Sequence, residues 1–186
     1  MKNKTITKWV ASICLAVITT LSTNAAGYIK FDGIEGESRA TGHKGWSDIM
    51  SFSQGIPQPG GGKTGATRRR SSAVFQDLVV VKELDKSSPK IAESVATGRV
   101  FPRVVLEMTA RTDSGEITYY SYELTNALVK SYQISADNPN LLPVENFSLN
   151  FEEIKVTYTG LEFDSGDKPK EGTSYSWKVE EGESLK

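Results

Sequence analysis

The stretch that decides the fold is NFSLNFEEIKVTYT, residues 146–159. Its large apolar residues are, in order, Phe147, Leu149, Phe151, Ile154, Val156 and Tyr158. Alternation of apolar and polar residues with period two is typical of a β-strand with one buried face. The first three of these residues occupy odd positions and the last three occupy even positions, so one extra residue must be inserted if all are to face inward. The pattern therefore predicts a strand with a β-bulge at Glu152–Glu153.

Segments on both sides of this stretch carry the same alternation. The predicted strands cover residues 28–32, 46–52, 75–84, 103–111, 117–128, 129–135 and 173–179. Leu78–Val81 is a β-branched run that predicts a strand buried on both faces. The turn signal Asp113-Ser114-Gly115 predicts a hairpin between its two neighbouring strands. The chain is therefore predicted to be mainly β.

The strand before that turn alternates over residues 103–111. Val104, Leu106 and Met108 are predicted to face inward. Arg103, Glu107, Thr109 and Arg111 are predicted to face outward.

One short segment has a helical pattern. Ser88 is the predicted N-cap residue, and Pro89 occupies the first helical position, where its missing N–H costs nothing. Ile91, Ala92 and Val95 fall at helical spacing on one apolar face, and Gly98 suits the position that follows the helix. A helix of about ten residues is too short to stand alone, so it must pack on the sheets.

The first 26 residues have the organisation of a secretory signal peptide. Three lysines precede an apolar run over residues 9–21, and small residues lead to predicted cleavage after Ala25 or Ala26. We therefore predict a signal peptide over residues 1–26 and one domain over residues 27–186. The mature protein is expected to be exported, to the periplasm or to the extracellular space.

The composition of the mature part excludes several kinds of chemistry. The only cysteine, Cys14, lies in the leader, so neither a disulfide nor a thiolate site is expected. The single histidine, His43, is interpreted as a solvent-facing turn residue. Removal of the leader changes the net charge from −1 to −4, which gives no basic field for nucleic acid. No second stretch suits a membrane span, and no catalytic, cofactor or metal site is predicted.

Residues 54–72 form the longest segment without a strand or helix pattern. Segments of this length are usually functional or disordered. Gly62-Lys63-Thr64 resembles the end of a phosphate-binding loop, but the glycine required five residues earlier is Pro57. A flexible loop is therefore the preferred interpretation. Arg68-Arg69-Arg70 within it is either a solvated charge run or a contact for an acidic subunit surface.

Short motifs along nearly all of the mature chain occur in the order and spacing of one family. They begin with YIKFDGIEGES at residues 28–38, HKGW at 43–46 and IMSFSQG at 49–55. Further matches are residues 85–91, 96–98, 101–102, 119–124, 128–132 and 146–159. Together these motifs resemble haemolysin-coregulated proteins (Hcp), the tube subunits of type VI secretion systems.

The resemblance implies two β-sheets wrapped into a barrel-like sandwich, with one short α-helix packed at the side. It also implies a structural, non-enzymatic subunit of homohexameric rings, which stack into a tube that carries effectors. Sheath, spike and effector proteins are then the expected partners besides the chain itself. In the family the long loop reaches a neighbouring subunit or ring. The corresponding residues here are Gly60, Gly61, Gly62, Lys63, Arg68, Arg69 and Arg70.

One alternative function remains open from the sequence. An independently exported, monomeric β-sandwich could bind a surface glycan or protein through Tyr119, Tyr120, Tyr122 and the glycine-rich loop. Aromatic residues on an alternating strand are more often packed across the sheet, which favours the structural interpretation.

Overall fold

The computed structural model of the chain describes residues 25–58, 73–112, 115–136, 141–160, 172–179 and 183–184. The predicted signal peptide, apart from Ala25 and Ala26, lies outside these residues. The elements are β1 (Ala25–Phe31), β2 (Ser47–Ile49), β3 (Ser51–Ser53), β4 (Leu78–Glu83), α1 (Ser88–Thr97), β5 (Val100–Thr112), β6 (Gly115–Ser135), β7 (Val144–Asn150), β8 (Glu153–Tyr158), β9 (Thr173–Lys178) and β10 (Glu183–Ser184). The prediction of a mainly β domain with one short helix is confirmed.

All strands pair antiparallel in one curved sheet that folds over into a β-sandwich. One path runs β10-β9-β8-β6-β5-β1-β2, and a branch from β6 continues through β7 and β4 to β3. Side chains from the two parts meet face to face. Phe52 of β3 packs edge-on against Tyr122 of β6, with ring centroids 5.5 Å apart.

The long strand β6 belongs to both parts of the sheet. Tyr120–Thr125 pairs with β8, whereas Leu128–Ser135 pairs with β7. Between them Asn126 adopts φ 50°, in the left-handed region that asparagine tolerates better than most residues. Its side-chain amide donates to Glu152 Oε2 at 2.6 Å, which fixes the corner. The predicted strand over residues 129–135 is therefore the second half of β6, after this bend.

The phase change in residues 146–159 has a different cause from the predicted one. There is no bulge at Glu152–Glu153, because the chain leaves β7 at Asn150 and begins β8 at Glu153. Two residues at a sheet corner absorb the shift. Glu152 N–H donates to Thr125 O at 3.2 Å there, and Glu152 O accepts from Val179 N–H at 2.7 Å.

The prediction that both apolar sets face inward holds for five of the six residues. The buried members are Phe147, Leu149, Phe151, Ile154 and Val156. The prediction is wrong for Tyr158, whose side chain is 45% exposed at the end of β8. The inward row therefore ends where the covering part of the sandwich ends.

Two further predictions about which side chains are buried also need correction. Thr109 was expected to face outward but is buried, because the β5–β6 register shifts between Met108 and Thr109. In β4, Leu78 and Val80 are buried whereas Val79 and Val81 are only partly buried, so this strand fully buries one face and not both.

The helix begins one residue earlier than predicted, with Ser87 and not Ser88 as the N-cap residue. Ser88 instead accepts a hydrogen bond from Asp85 N–H through its hydroxyl at 3.0 Å. Gly98 ends the helix with φ 66°, as its position predicts. The predicted strand over residues 46–52 is divided at Met50, and its halves pair with different neighbours, β1 and β4.

Candidate assembly surface

The predicted contact residues Gly60, Gly61, Gly62, Lys63, Arg68, Arg69 and Arg70 lie outside the described residues, as does the phosphate-loop-like Gly62-Lys63-Thr64. The segments that flank them are described. Gln76 N–H donates to Gly55 O at 3.0 Å, and Val74 N–H donates to Pro57 O at 2.9 Å. The backbone pairing of β3 and β4 is thus continued up to the place where the long loop departs.

A shallow polar groove lies beside this departure point. It has a volume of about 750 Å³ and is lined by residues of β3, β4, β6 and β7 together with Gly55 and Phe75. Asp77 organises one side, accepting a hydrogen bond from Asn150 Nδ2 at 3.0 Å and facing Lys130 Nζ at 3.6 Å. The ring of Phe75 stacks on that of Trp177 in β9, with the ring centroids 5.7 Å apart, and this contact holds the groove against β9.

A polar network in the interior was missed by sequence analysis. Lys82 and Glu145 are fully buried, and Lys82 Nζ lies 2.8 Å from both Glu145 Oε1 and Asp85 Oδ1. Tyr132 OH donates to Glu145 Oε2 at 2.6 Å, so β4, β6, β7 and the start of α1 are joined. Burial acts to raise the pKa of Asp85, but hydrogen bonds from Lys82 and Ser87 bring it below its ordinary value. Burial and the Glu145 contact raise the pKa of Tyr132.

A signal for this network was present in the alternation. Glu145 falls on the same odd positions as Phe147 and Leu149, and Lys82 on the same even positions as Leu78 and Val80. Both side chains therefore belong to the inward rows. They were not predicted to be buried, because charged side chains usually face water.

The interpretation of His43 as a solvent-facing residue is wrong, since its side chain is buried. The imidazole stacks on Tyr28 with ring centroids 4.1 Å apart, and Trp46 contacts it edge-on. Nε2 lies 2.8 Å from Glu107 Oε2. Burial and a hydrogen bond to Glu116 raise the pKa of Tyr28 to about 12. His43 thus fixes the β1–β2 connection onto strands β1 and β5.

We predict that His43→Ala lowers the free energy of unfolding by about 1–3 kcal/mol. The substitution removes the stack of the imidazole on Tyr28 and leaves the Glu107 carboxylate without the imidazole as its hydrogen-bond partner. The measurement is a urea unfolding curve at one fixed protein concentration. Lys44→Ala, at the exposed neighbouring position, is the control and should stay within about 0.5 kcal/mol of the parent chain. Equal midpoints for both variants would contradict the role assigned to His43.

The three tyrosines proposed for ligand binding do not share one surface. Tyr122 is buried, and its phenol pKa is raised by burial and by the neighbouring Tyr120 hydroxyl. Tyr120 points to the same face, with its ring 5.2 Å from that of Tyr122. Tyr119 directly precedes Tyr120 on the strand and therefore faces the opposite side. Packing across the sheet accounts for Tyr120 and Tyr122.

The described residues contain no group of three or more His, Cys, Asp or Glu side chains placed to hold a metal ion. Within the same residues, no helix has the length and apolarity needed to cross a membrane.

Comparison with known proteins gives concordant matches. The family profile described as "Type VI secretion system effector, Hcp" matches residues 28–158. Protein hcp1 of Pseudomonas aeruginosa is 26% identical over 152 residues, covering 82% of this chain and 93% of that protein.

Solved structures have the same fold. A structure described as that of a type six secretion system protein matches with a TM-score of 0.77 and 24% identity, covering 87% of this chain and all of that one. Hcp1 from Salmonella typhimurium matches with a TM-score of 0.69 and 19% identity, covering 87% of this chain and 99% of that one.

Proposed function

Because the chain belongs to the Hcp family of type VI secretion proteins, we propose that it is a structural subunit that forms homohexameric rings. Members of this family are secreted, self-assembling structural proteins and not enzymes. The observation that carries the proposal is the family match over residues 28–158, which spans the β domain from β1 to the end of β8. We further propose that the rings stack into a tube that carries effectors and meets sheath and spike proteins.

The proposed ring also accounts for the free edges of the sheet. Within the described residues, the sheet path ends at β2 and at β10, and β3 ends the branch. Unpaired edges invite uncontrolled association unless they are covered. Closure of identical subunits into a ring covers such edges in a defined way.

The long loop is proposed to make contacts between subunits or rings through Gly60–Gly62, Lys63 and Arg68–Arg70. The hydrogen bonds at Gly55 and Pro57 support this role, because they hold the two segments that flank the loop side by side. The predicted leader supports export, and we propose the periplasm or the extracellular space as the destination.

Native mass spectrometry of the full chain tests the ring. We expect a species of six subunits, and a strict monomer at high concentration would overturn the proposal.

Deletion of residues 60–70 is expected to leave the domain folded while ring formation or stacking weakens at least tenfold. The matched control replaces the same residues with a Gly-Ser segment of equal length. This control distinguishes the effect of the loop's side chains from the effect of its length. Unchanged assembly in both variants would show that the loop is dispensable.

A further inference from the structure

One row of apolar and aromatic residues crosses five strands at the end of the sheet where β1 begins. Gly27 of β1 lies opposite Ile49 of β2 and Met108 of β5. Met108 lies opposite Tyr120 of β6, which in turn lies opposite Tyr158 of β8. Directly opposite residues on antiparallel strands project from the same face of a sheet. We call Gly27, Ile49, Met108, Tyr120 and Tyr158 the inner-end row.

The inner-end row continues the core face beyond the buried core. Two residues further along the same strands, the next row is fully packed and consists of Ile29, Leu106, Tyr122 and Val156. In the inner-end row, Ile49, Met108 and Tyr120 are only partly buried, and Tyr158 is 45% exposed. Five adjacent strands give this row a width of about 19 Å. An uncharged surface of this width, rimming a core, is typical of an interaction site.

An apolar cavity opens at the β1–β2 end of the row. Its volume is about 300 Å³, and Ile49, Met50, Phe52 and Met108 line it together with residues 25–27. Among the described residues that line it, only Asp48 is charged. Met50 is 60% exposed, and methionine side chains adapt to apolar partners of irregular shape. The cavity therefore suits an apolar peptide segment better than a polar ligand.

The chain enters β1 at this cavity. Ala25 and Ala26 belong to its walls, so the residues before them are tethered beside the inner-end row. The leader has an apolar run over residues 9–21 without a charged side chain. Residues 22–24 connect this run to β1, and three extended residues reach about 10 Å. Thirteen residues in a helix would span about 20 Å, which matches the width of the row.

We propose that, before the leader is removed, its apolar run over residues 9–21 docks on the inner-end row of the same chain and fills the cavity beside Met50. The short tether keeps the run at a high effective concentration, which favours this contact over one with another chain. Removal of the leader then uncovers the row. The inference rests on the predicted leader and concerns the chain before assembly, so it stands or falls independently of the proposed ring.

The single cysteine of the chain allows a direct test, because Cys14 lies in the middle of the apolar run. Cell-free synthesis without membranes provides the full chain with its leader. In the Met50→Cys variant, we expect a short bismaleimide to link residues 14 and 50 within one molecule, as detected by mass spectrometry of the linked peptides. Val100→Cys is the control, since Val100 is 52% exposed and lies about 26 Å along β5 from Met108. It should give at least tenfold less link.

Equal yields from Met50→Cys and Val100→Cys would overturn the proposal, since a leader that does not dock reaches both positions without preference. Links formed mainly between two chains would assign the inner-end row to a second copy and would also overturn it. Urea unfolding of each variant is measured alongside, and both exposed substitutions should keep the parent midpoint.

Substitutions in the leader test the contact from the other side. Leu15→Asp with Ile18→Asp in the Met50→Cys chain is expected to reduce the link at least tenfold, because a charged run cannot fill an apolar cavity. Asn3→Asp with Thr5→Asp adds the same charge before the run and should keep the link. A link that survives Leu15→Asp with Ile18→Asp would overturn the docking of the run.

Oxidation of Met50 gives a readout that needs no introduced cysteine. In the parent full chain, we expect dilute hydrogen peroxide to convert Met50 to its sulfoxide at least tenfold more slowly than in the chain with Leu15→Asp and Ile18→Asp. Equal oxidation rates of Met50 in the two chains would show that the leader leaves the cavity open, and would overturn the proposal.

Discussion

Replacing Lys82 with alanine is expected to destabilise the domain by about 3–5 kcal/mol, which is a large part of the stability of an ordinary domain. The substitution leaves the carboxylate of Glu145 buried without its cation, and Asp85 loses the same partner. Denaturant unfolding at one fixed protein concentration measures the effect, because assembly makes the midpoint depend on concentration. Lys90→Ala is the control, since Lys90 pairs with Glu93 on the exposed face of α1 and should cost less than about 1 kcal/mol.

The double variant Lys82→Met with Glu145→Leu separates the cost of breaking the pair from the value of having it. Removing both charges leaves no uncompensated ion at position 145, so we expect part of the lost stability to return, although Asp85 still lacks its Lys82 partner. Tyr132 would lose its acceptor, and this limits the recovery. A Lys82→Ala variant as stable as the parent chain would show that Glu145 and Asp85 do not depend on this cation.

Local alternation was sufficient to predict most strands, because burial of one sheet face imposes a period of two on the sequence. The inward positions of Phe147, Leu149 and Ile154 follow from it directly. The same rule could not distinguish a bulge from a corner at Glu152, since both shift the phase by one residue. That distinction depends on which strands pair with β7 and β8, and pairing is a property of the whole sheet.

The features that sequence reasoning missed depend on residues far apart in the chain. His43 is buried by Tyr28 and Glu107, and the latter is 64 residues away. Thr109 is buried by a register shift that only the pairing of β5 with β6 produces. For the candidate assembly surface, composition predicts the loop around Gly60–Arg70, which lies outside the described residues and stays a prediction.

Phe147→Ala is expected to lower the free energy of unfolding by about 3–5 kcal/mol, which is typical for a fully buried phenylalanine. Phe147 is fully buried on β7, and its ring centroid lies 5.8 Å from that of Phe31 on β1, so the residue connects the two parts of the sandwich. Phe147→Leu keeps most of the volume and should cost less than about 1.5 kcal/mol. Tyr158→Ala is the exposed control and should cost less than either.

The effect of Phe147→Ala on assembly should follow its effect on stability. A subunit must be folded to join a ring, so Phe147→Ala is expected to lower both the ring population and the denaturant midpoint of unfolding. Both quantities should fall further at higher temperature. Leu142→Asp should leave the unfolding midpoint unchanged, because Leu142 is 60% exposed and contributes little to the core. A Phe147→Ala chain with the parent's midpoint would contradict the central position of this residue in the core.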